Sequence, residues 1–274
     1  MARHLILPLA IALLLAAPGS RAIGEFSWLR EQPDGPDWSD AEEGIVDAIL
    51  AGDLLLLEDG RELRLASLRV PHPPLAYHDA EPWRRAEAAR QALAARAPPG
   101  SSLRFVSAAP AHDRHRRWLV QAATPQGGWL QESLLAAGAL LLDRSREAIA
   151  APLLAAEAAA RARGRGLWSD PAHARLTAEA AEAAIGRFAV IEGRVLAAAQ
   201  VRNLGYLNFG EDWRTDFTIR LTAGALRELK QQERPVEDFV GRNLQVRGWV
   251  FYSGGPMIEI ESLAEIEEPG VLEE

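Results

Sequence analysis

Residues 44–68, GIVDAILAGDLLLLEDGRELRLASL, hold two or three short apolar runs around Asp59-Gly60. An Asp-Gly pair between β-prone runs sets a tight turn, because glycine takes positive φ at no steric cost. The stretch is therefore expected to fold as an antiparallel meander, and the chain around it as a mainly β fold with helices, of α+β class. After a proline-rich loop at 71–74, EPWRRAEAARQALAAR (81–96) has the apolar spacing of an amphipathic helix. Pro82 stands near its start and Pro98-Pro99-Gly100 ends it. Strands are expected at 102–109 and 117–123, joined through PAHDRHR. One helix is expected to start near Leu130 and close at Gly138, and a second to run from about Glu147 to Arg163 until Gly164 and Gly166 stop it.

Beyond GLWSDPAHARLTAEAAEAAIG the chain becomes strand-rich again. RFAVIEGRVLAAAQ, LGYLNFG, DFTIRLT and LQVRGWVFYSGGPMIEIES supply five candidate strands, with a short helix near 223–232 between the third and fourth. That order suits a small Greek-key barrel of the oligonucleotide-binding type. The expected organisation is a signal segment at 1–22, an acidic lead-in at 23–43, a first domain at 44–170, a linker or helix at 171–186, a barrel domain at 187–266 and an acidic tail at 267–274.

Arg3, the apolar run Leu5 to Ala17 and the ending Ser20-Arg21-Ala22 have the layout of a secretory signal cleaved after Ala22. The run falls short of the roughly 20 residues that a bilayer span needs, although an uncleaved anchor is the alternative. No later stretch is long and apolar enough for a membrane helix, so a periplasmic or secreted protein is expected. The chain has no cysteine, which removes disulfides and thiolate metal sites. Its formal charge of −8 becomes −10 without Arg3 and Arg21. Residues 23–43 carry −6, residues 44–170 carry +2 and residues 171–274 carry −6. Polyanions are bound by basic faces, so tight general nucleic-acid binding is not expected, while a local arginine cluster can still hold one phosphate.

Four features between residues 44 and 170 carry a family resemblance. AGDLLLLEDGRELRL resembles a D-G-D-T strand, a turn and R-L. HDRHRRWLV resembles D-x-Y-G-R-x-L-A. GGWLQESLLAAGAL resembles a helix ending at glycine, and EAAARARGRGLW resembles E-x-x-A-R followed by G-L-W. In this order the segment looks like a staphylococcal-nuclease (thermonuclease) domain, which implies a five-stranded barrel of oligonucleotide-binding type with three helices. The resemblance implies phosphodiester hydrolysis with one calcium ion held by two aspartates, a glutamate acting on the attacking water and two arginines on the phosphate. The first aspartate falls on Asp53 and the arginines on Arg64 and Arg117, with Arg116 as the neighbouring register. The family's D-T-P-E falls on Arg69-Val70-Pro71-His72, so arginine replaces the second aspartate and histidine the glutamate.

Calcium is therefore not expected as a cofactor, with Asp53 left as a remnant ligand. A pair between Arg69 and Asp53 is expected to fill the vacancy, leaving Arg64, Arg69 and Arg117 around a pocket for phosphate or another anion. His72 is an imidazole that can accept a proton, but three neighbouring arginines would weaken it as a base. His115 and Arg144 stand where the family stacks bases on aromatic rings, so nucleic acid is expected to bind weakly. His72, His78, His112 and His115 lack zinc-ligand spacing on one element. Trp168 is expected to seal the first core, and Tyr206, Phe209, Trp213 and Phe217 to pack rather than to stack bases. The expected function is a non-catalytic binding or scaffold module. Its rivals are an active nuclease using His72, Asp79 or Glu81, and a module that binds protein partners only.

Overall fold

A computed structural model of the chain describes residues 35–70, 81–124, 126–144, 150–173, 175–212 and 214–268. The meander comprises β1 (Glu42–Ala51), β2 (Leu54–Leu57) and β3 (Glu62–Leu65), followed by the two-residue β4 (Leu68–Arg69) and helix α1 (Glu81–Arg96). Next come β5 (Ser102–His112) and β6 (Trp118–Ala123), and the order β1-β2-β3-β6-β5 closes a barrel. Only β3 and β6 pair in parallel. Alternation along these strands puts Leu55, Leu57, Leu63, Leu65, Leu103, Phe105, Val120 and Ala122 into the interior. Two register shifts bend β1, so that one half pairs with β2 and the other with β5, which closes the barrel.

Helix α1 lies where its sequence pattern puts it and buries Ala89 and Leu93. The contact is close, because a Cβ on Gly52 would stand 2.5 Å from that of Ala89. Helix α2 (Leu130–Ala136) is pinned to β6 by the buried Gln131 amide, which donates to the Val120 carbonyl at 2.8 Å and accepts from the Ala122 N–H at 3.1 Å. After β7 (Leu141–Leu142), which pairs with β4, helix α3 (Ala151–Ala162) completes a barrel with three helices. Gly138 and Gly166, at φ +65° and +55°, bring the ends of α2 and α3 into backbone contact, and Leu167 donates to the Gly138 carbonyl at 2.8 Å.

The stretch expected as a linker contains β8 (Arg175–Thr177), which adds in parallel to β9 (Phe188–Arg194). The remaining strands are β10 (Ala197–Val201), β11 (Leu204–Asn208), β12 (Thr218–Leu221), β13 (Asn243–Trp249), β14 (Phe251–Tyr252), β15 (Pro256–Ile260) and β16 (Ile266–Glu267), with α4 (Ala223–Gln231) after β12. They form two sheets, β10-β11-β12-β15-β14 and β16-β13-β9-β8, around a second core that includes Phe217, Ile219, Val246 and Ile258. Phe209 and Phe217 pack in this core with ring centroids 5.1 Å apart. The side chain of Thr222 caps α4 by accepting from the Gly224 N–H at 3.3 Å. Among the described residues no helix is long and apolar enough to cross a membrane.

Trp168 departs from expectation. It is buried, but in a third cluster with Leu141, Ala160, Leu167, Phe188 and Val190 that joins the first unit to the second. A charged network crosses the same seam. Arg247 of β13 donates to the Leu142 carbonyl at 3.0 Å and stands 2.7 Å from the fully buried Glu157 of α3. Arg144 lies 3.4 Å from Glu157 and 2.8 Å from Glu267, and Arg161 lies 3.0 Å from Glu267. Arg144, aligned with a base-stacking aromatic, is thus a buried structural cation. Buried ions are costly unless paired, and this network pairs charges of one unit with those of the other.

Candidate anion site at the barrel mouth

Strand alternation turns Leu63 and Leu65 inward and leaves Arg64 at the barrel mouth. Its Nε donates to Asp53 Oδ2 at 3.1 Å, and its Nη1 lies 3.5 Å from Asp113 Oδ2. Asp53 is buried and Asp113 half-buried, with side-chain exposures of 10% and 9%. One guanidinium therefore spans two acids. Burial pushes the Asp53 carboxyl above its ordinary value, and Arg64 works against that push.

Asp113 closes the loop between β5 and β6. Its Oδ1 accepts the backbone N–H groups of His115 at 2.8 Å and Arg117 at 3.1 Å, and its Oδ2 accepts Arg117 Nε at 2.7 Å. Burial by itself would raise this carboxyl, but the bonds from Arg117 and from the two backbone N–H groups outweigh it and hold the pKa at about 2. Arg116 takes a left-handed φ of 65° in this turn, and Arg117, four residues after Asp113, carries the ion pair.

The expected pair between Arg69 and Asp53 does not form. Arg69 lies on β4 opposite Leu141 of β7, and this pairing turns its guanidinium toward the next residues of that segment, where Nη2 donates to Asp143 Oδ1 at 3.0 Å. Asp143 is itself fixed by its backbone N–H, which donates to the Ser67 carbonyl at 3.0 Å. The cation on Asp53 is Arg64.

A cavity of about 330 Å³ opens here, lined by Arg64, Ser67, Arg69, His112, Arg114 and three acids, Asp113, Asp143 and Glu261. Arg64 and Arg69 are thus brought together, while Arg117 is held on Asp113 and is not among the lining residues. Arg114 was not foreseen. Its Nε donates to His115 Nε2 at 3.0 Å, and among the described residues it has no carboxylate partner. Glu261, from the second unit, was equally invisible to local reasoning. A signal for Asp113 did exist in the i,i+4 spacing of Asp113 and Arg117. His72, His78 and Asp79 lie outside the described residues.

Calcium takes six to eight oxygens, and the two carboxylates beside Arg64 already share its guanidinium. Both oxygens of Asp113 are occupied, and among the described residues Asp53 is the other carboxylate on Arg64. A dication about 4 Å from a guanidinium meets a repulsion of about 8 kcal/mol at an effective dielectric of about 20. Among the described residues no three His, Cys, Asp or Glu side chains are grouped to hold a metal ion. No known family profile matches the chain, and no curated protein matches it.

Proposed function

We propose that the chain is an exported staphylococcal-nuclease-like protein that has lost calcium-dependent cleavage and works as a binding or scaffold module. Its barrel mouth holds a phosphate-containing or other small anionic ligand. The observation that carries this reading is the Arg64 guanidinium seated on both Asp53 and Asp113, where a calcium site would need open carboxylate oxygens. Arg69 and Arg114 supply donors around the cavity, and the three lining acids favour one compact anion over a nucleic-acid backbone. The charged seam supports the scaffold role, since it pairs groups of one unit with groups of the other. The strand order of the second unit, with α4 between β12 and β13, supports a small oligonucleotide-binding-type barrel used for packing and partner contacts.

Two assays test the reading. Incubation of the purified mature protein with single-stranded DNA, with calcium or with chelator, is expected to give no calcium-dependent cleavage. Millimolar inorganic phosphate is expected to raise the melting temperature of the wild type and not of Arg114→Ala. Calcium-dependent cleavage that Asp53→Ala abolishes contradicts the first half. An unmoved wild-type melting temperature contradicts the second.

A further inference from the structure

A groove of about 640 Å³ lies in the second unit, between α4 and the hairpin of β10 and β11. Its apolar lining comes from Leu229 and Val236, both buried, and from the half-buried Leu226. Arg227, Lys230 and Glu233 add exposed charges, and the hairpin contributes the exposed amides of Gln200 and Asn203. Between those amides stand Val201, 56% exposed, and Arg202, whose φ of 56° carries the turn.

The second unit holds both paired and unpaired cations, and among the described residues three unpaired ones lie at this groove or on its hairpin. Arg175, Arg220, Arg242 and Arg247 each have a carboxylate partner from the chain, and so does Arg234, which lines the groove itself. Arg202, Arg227 and Lys230 have none among the described residues. They stand together in a segment, 171–274, whose net charge is −6. Uncompensated cations gathered beside an apolar floor, on an otherwise acidic unit, attract a ligand of opposite charge and orient it.

We infer that this groove is a docking surface for an acidic peptide segment of a partner protein, with an aliphatic side chain on the floor and flanking carboxylates on Arg202, Arg227 and Lys230. The side-chain amides of Gln200 and Asn203 are suited to the peptide backbone, since each offers both a donor and an acceptor. A single-stranded nucleic acid fits less well. Among the described residues no aromatic ring lines the groove for base stacking, and Glu233 faces any phosphate chain laid across it.

The test uses fluorescein-labelled EELLEE and the full mature chain, read by fluorescence anisotropy at low salt. Wild type is expected to bind the peptide, Arg227→Glu/Lys230→Glu to bind it about tenfold more weakly, and a KKLLKK control not to bind. Lys230 is the chain's single lysine, so carbodiimide coupling in the bound complex is expected to place the peptide on that residue, whatever the folding of the variant. Absence of binding, equal binding to the charge-reversed protein, coupling confined to the chain's N-terminal amine, or stronger binding of an oligothymidylate would each overturn the assignment.

Discussion

Acid should loosen the seam between the two units through His173. This residue is 5% exposed, sits 6.0 Å from Trp168 and 5.4 Å from Phe188 by ring centroid, and among the described residues neither of its ring nitrogens has a hydrogen-bond partner. Burial, reinforced by the Arg85 cation, pushes its pKa down from 6.5 to about 4. Asp170, ion-paired with Arg85, opposes this only in part. Between those two pH values the unfolded chain takes up a proton that the folded chain refuses. Stability therefore falls as pH drops from about 6.5 to about 4, and His173 contributes no pH dependence above that window. At about 1.4 kcal/mol per pH unit the loss reaches at most about 3 kcal/mol. His173→Phe keeps a ring between Trp168 and Phe188 and removes both the proton site and an orphan donor. Urea denaturation of the two proteins from pH 7.5 to pH 4.5 isolates the effect, because their carboxylates are common. The variant should be at least as stable at pH 7.5 and should gain on the wild type steadily below pH 6.5. Parallel stability curves, or a histidine resonance for His173 titrating at 6.5 or above, would refute the reasoning.

Other perturbations have equally definite outcomes. Glu157→Gln removes the carboxylate facing Arg247 in the seam, with Arg144 keeping Glu267, and should cost about 3–5 kcal/mol in urea denaturation, whereas breaking an exposed pair such as Arg90 with Glu87 should leave the denaturation midpoint nearly unmoved. Gly138→Ala should lower stability by about 2 kcal/mol or more, since its Cβ would stand 2.1 Å from the Arg165 carbonyl oxygen at a left-handed φ. Gln131→Leu should cost about 1–3 kcal/mol by leaving the Ala122 N–H and Val120 carbonyl without their side-chain partner, measurable as a lower thermal midpoint.

Local chemistry makes much of the fold legible. The turn at Asp59-Gly60 forms as the dipeptide dictates, with Gly60 at φ 86° and the Arg61 N–H donating to Asp59 Oδ1 at 3.0 Å. Helix α1 keeps its expected ends because prolines and an amphipathic pattern bound it within its own sequence. Strand β5 runs past its expected end at 109 to His112. Pro110 is tolerated because it falls within the shifted register between Ser107 and His112, where the ladder with β6 is interrupted. Strand β8 escaped notice because three residues are too few to show alternation, and its pairing partner β9 decides it. Trp168 seals a seam instead of a barrel for a similar reason, since hydrophobicity states that a ring is buried and not which unit buries it.

At the barrel mouth the places of Arg64 and Asp53 were legible and their pairing was misread. Arg64 and Asp53 could be placed from the strand and turn that hold them. Which guanidinium meets which carboxylate depends on contacts such as Arg69 with Asp143 and Arg247 with Glu157, which bring together residues 74 and 90 positions apart. Ion pairs of that separation leave no periodic trace, whereas the pair of Asp113 with Arg117 lies within one turn of chain and does.

Calorimetric titration of the metal-free mature protein with calcium chloride reads the state of the barrel mouth directly. With Arg64 bonded to Asp53 and close to Asp113, wild type should give no saturable heat, and Asp53→Ala should give the same flat trace. A one-to-one isotherm for wild type that disappears in Asp53→Ala would contradict the account.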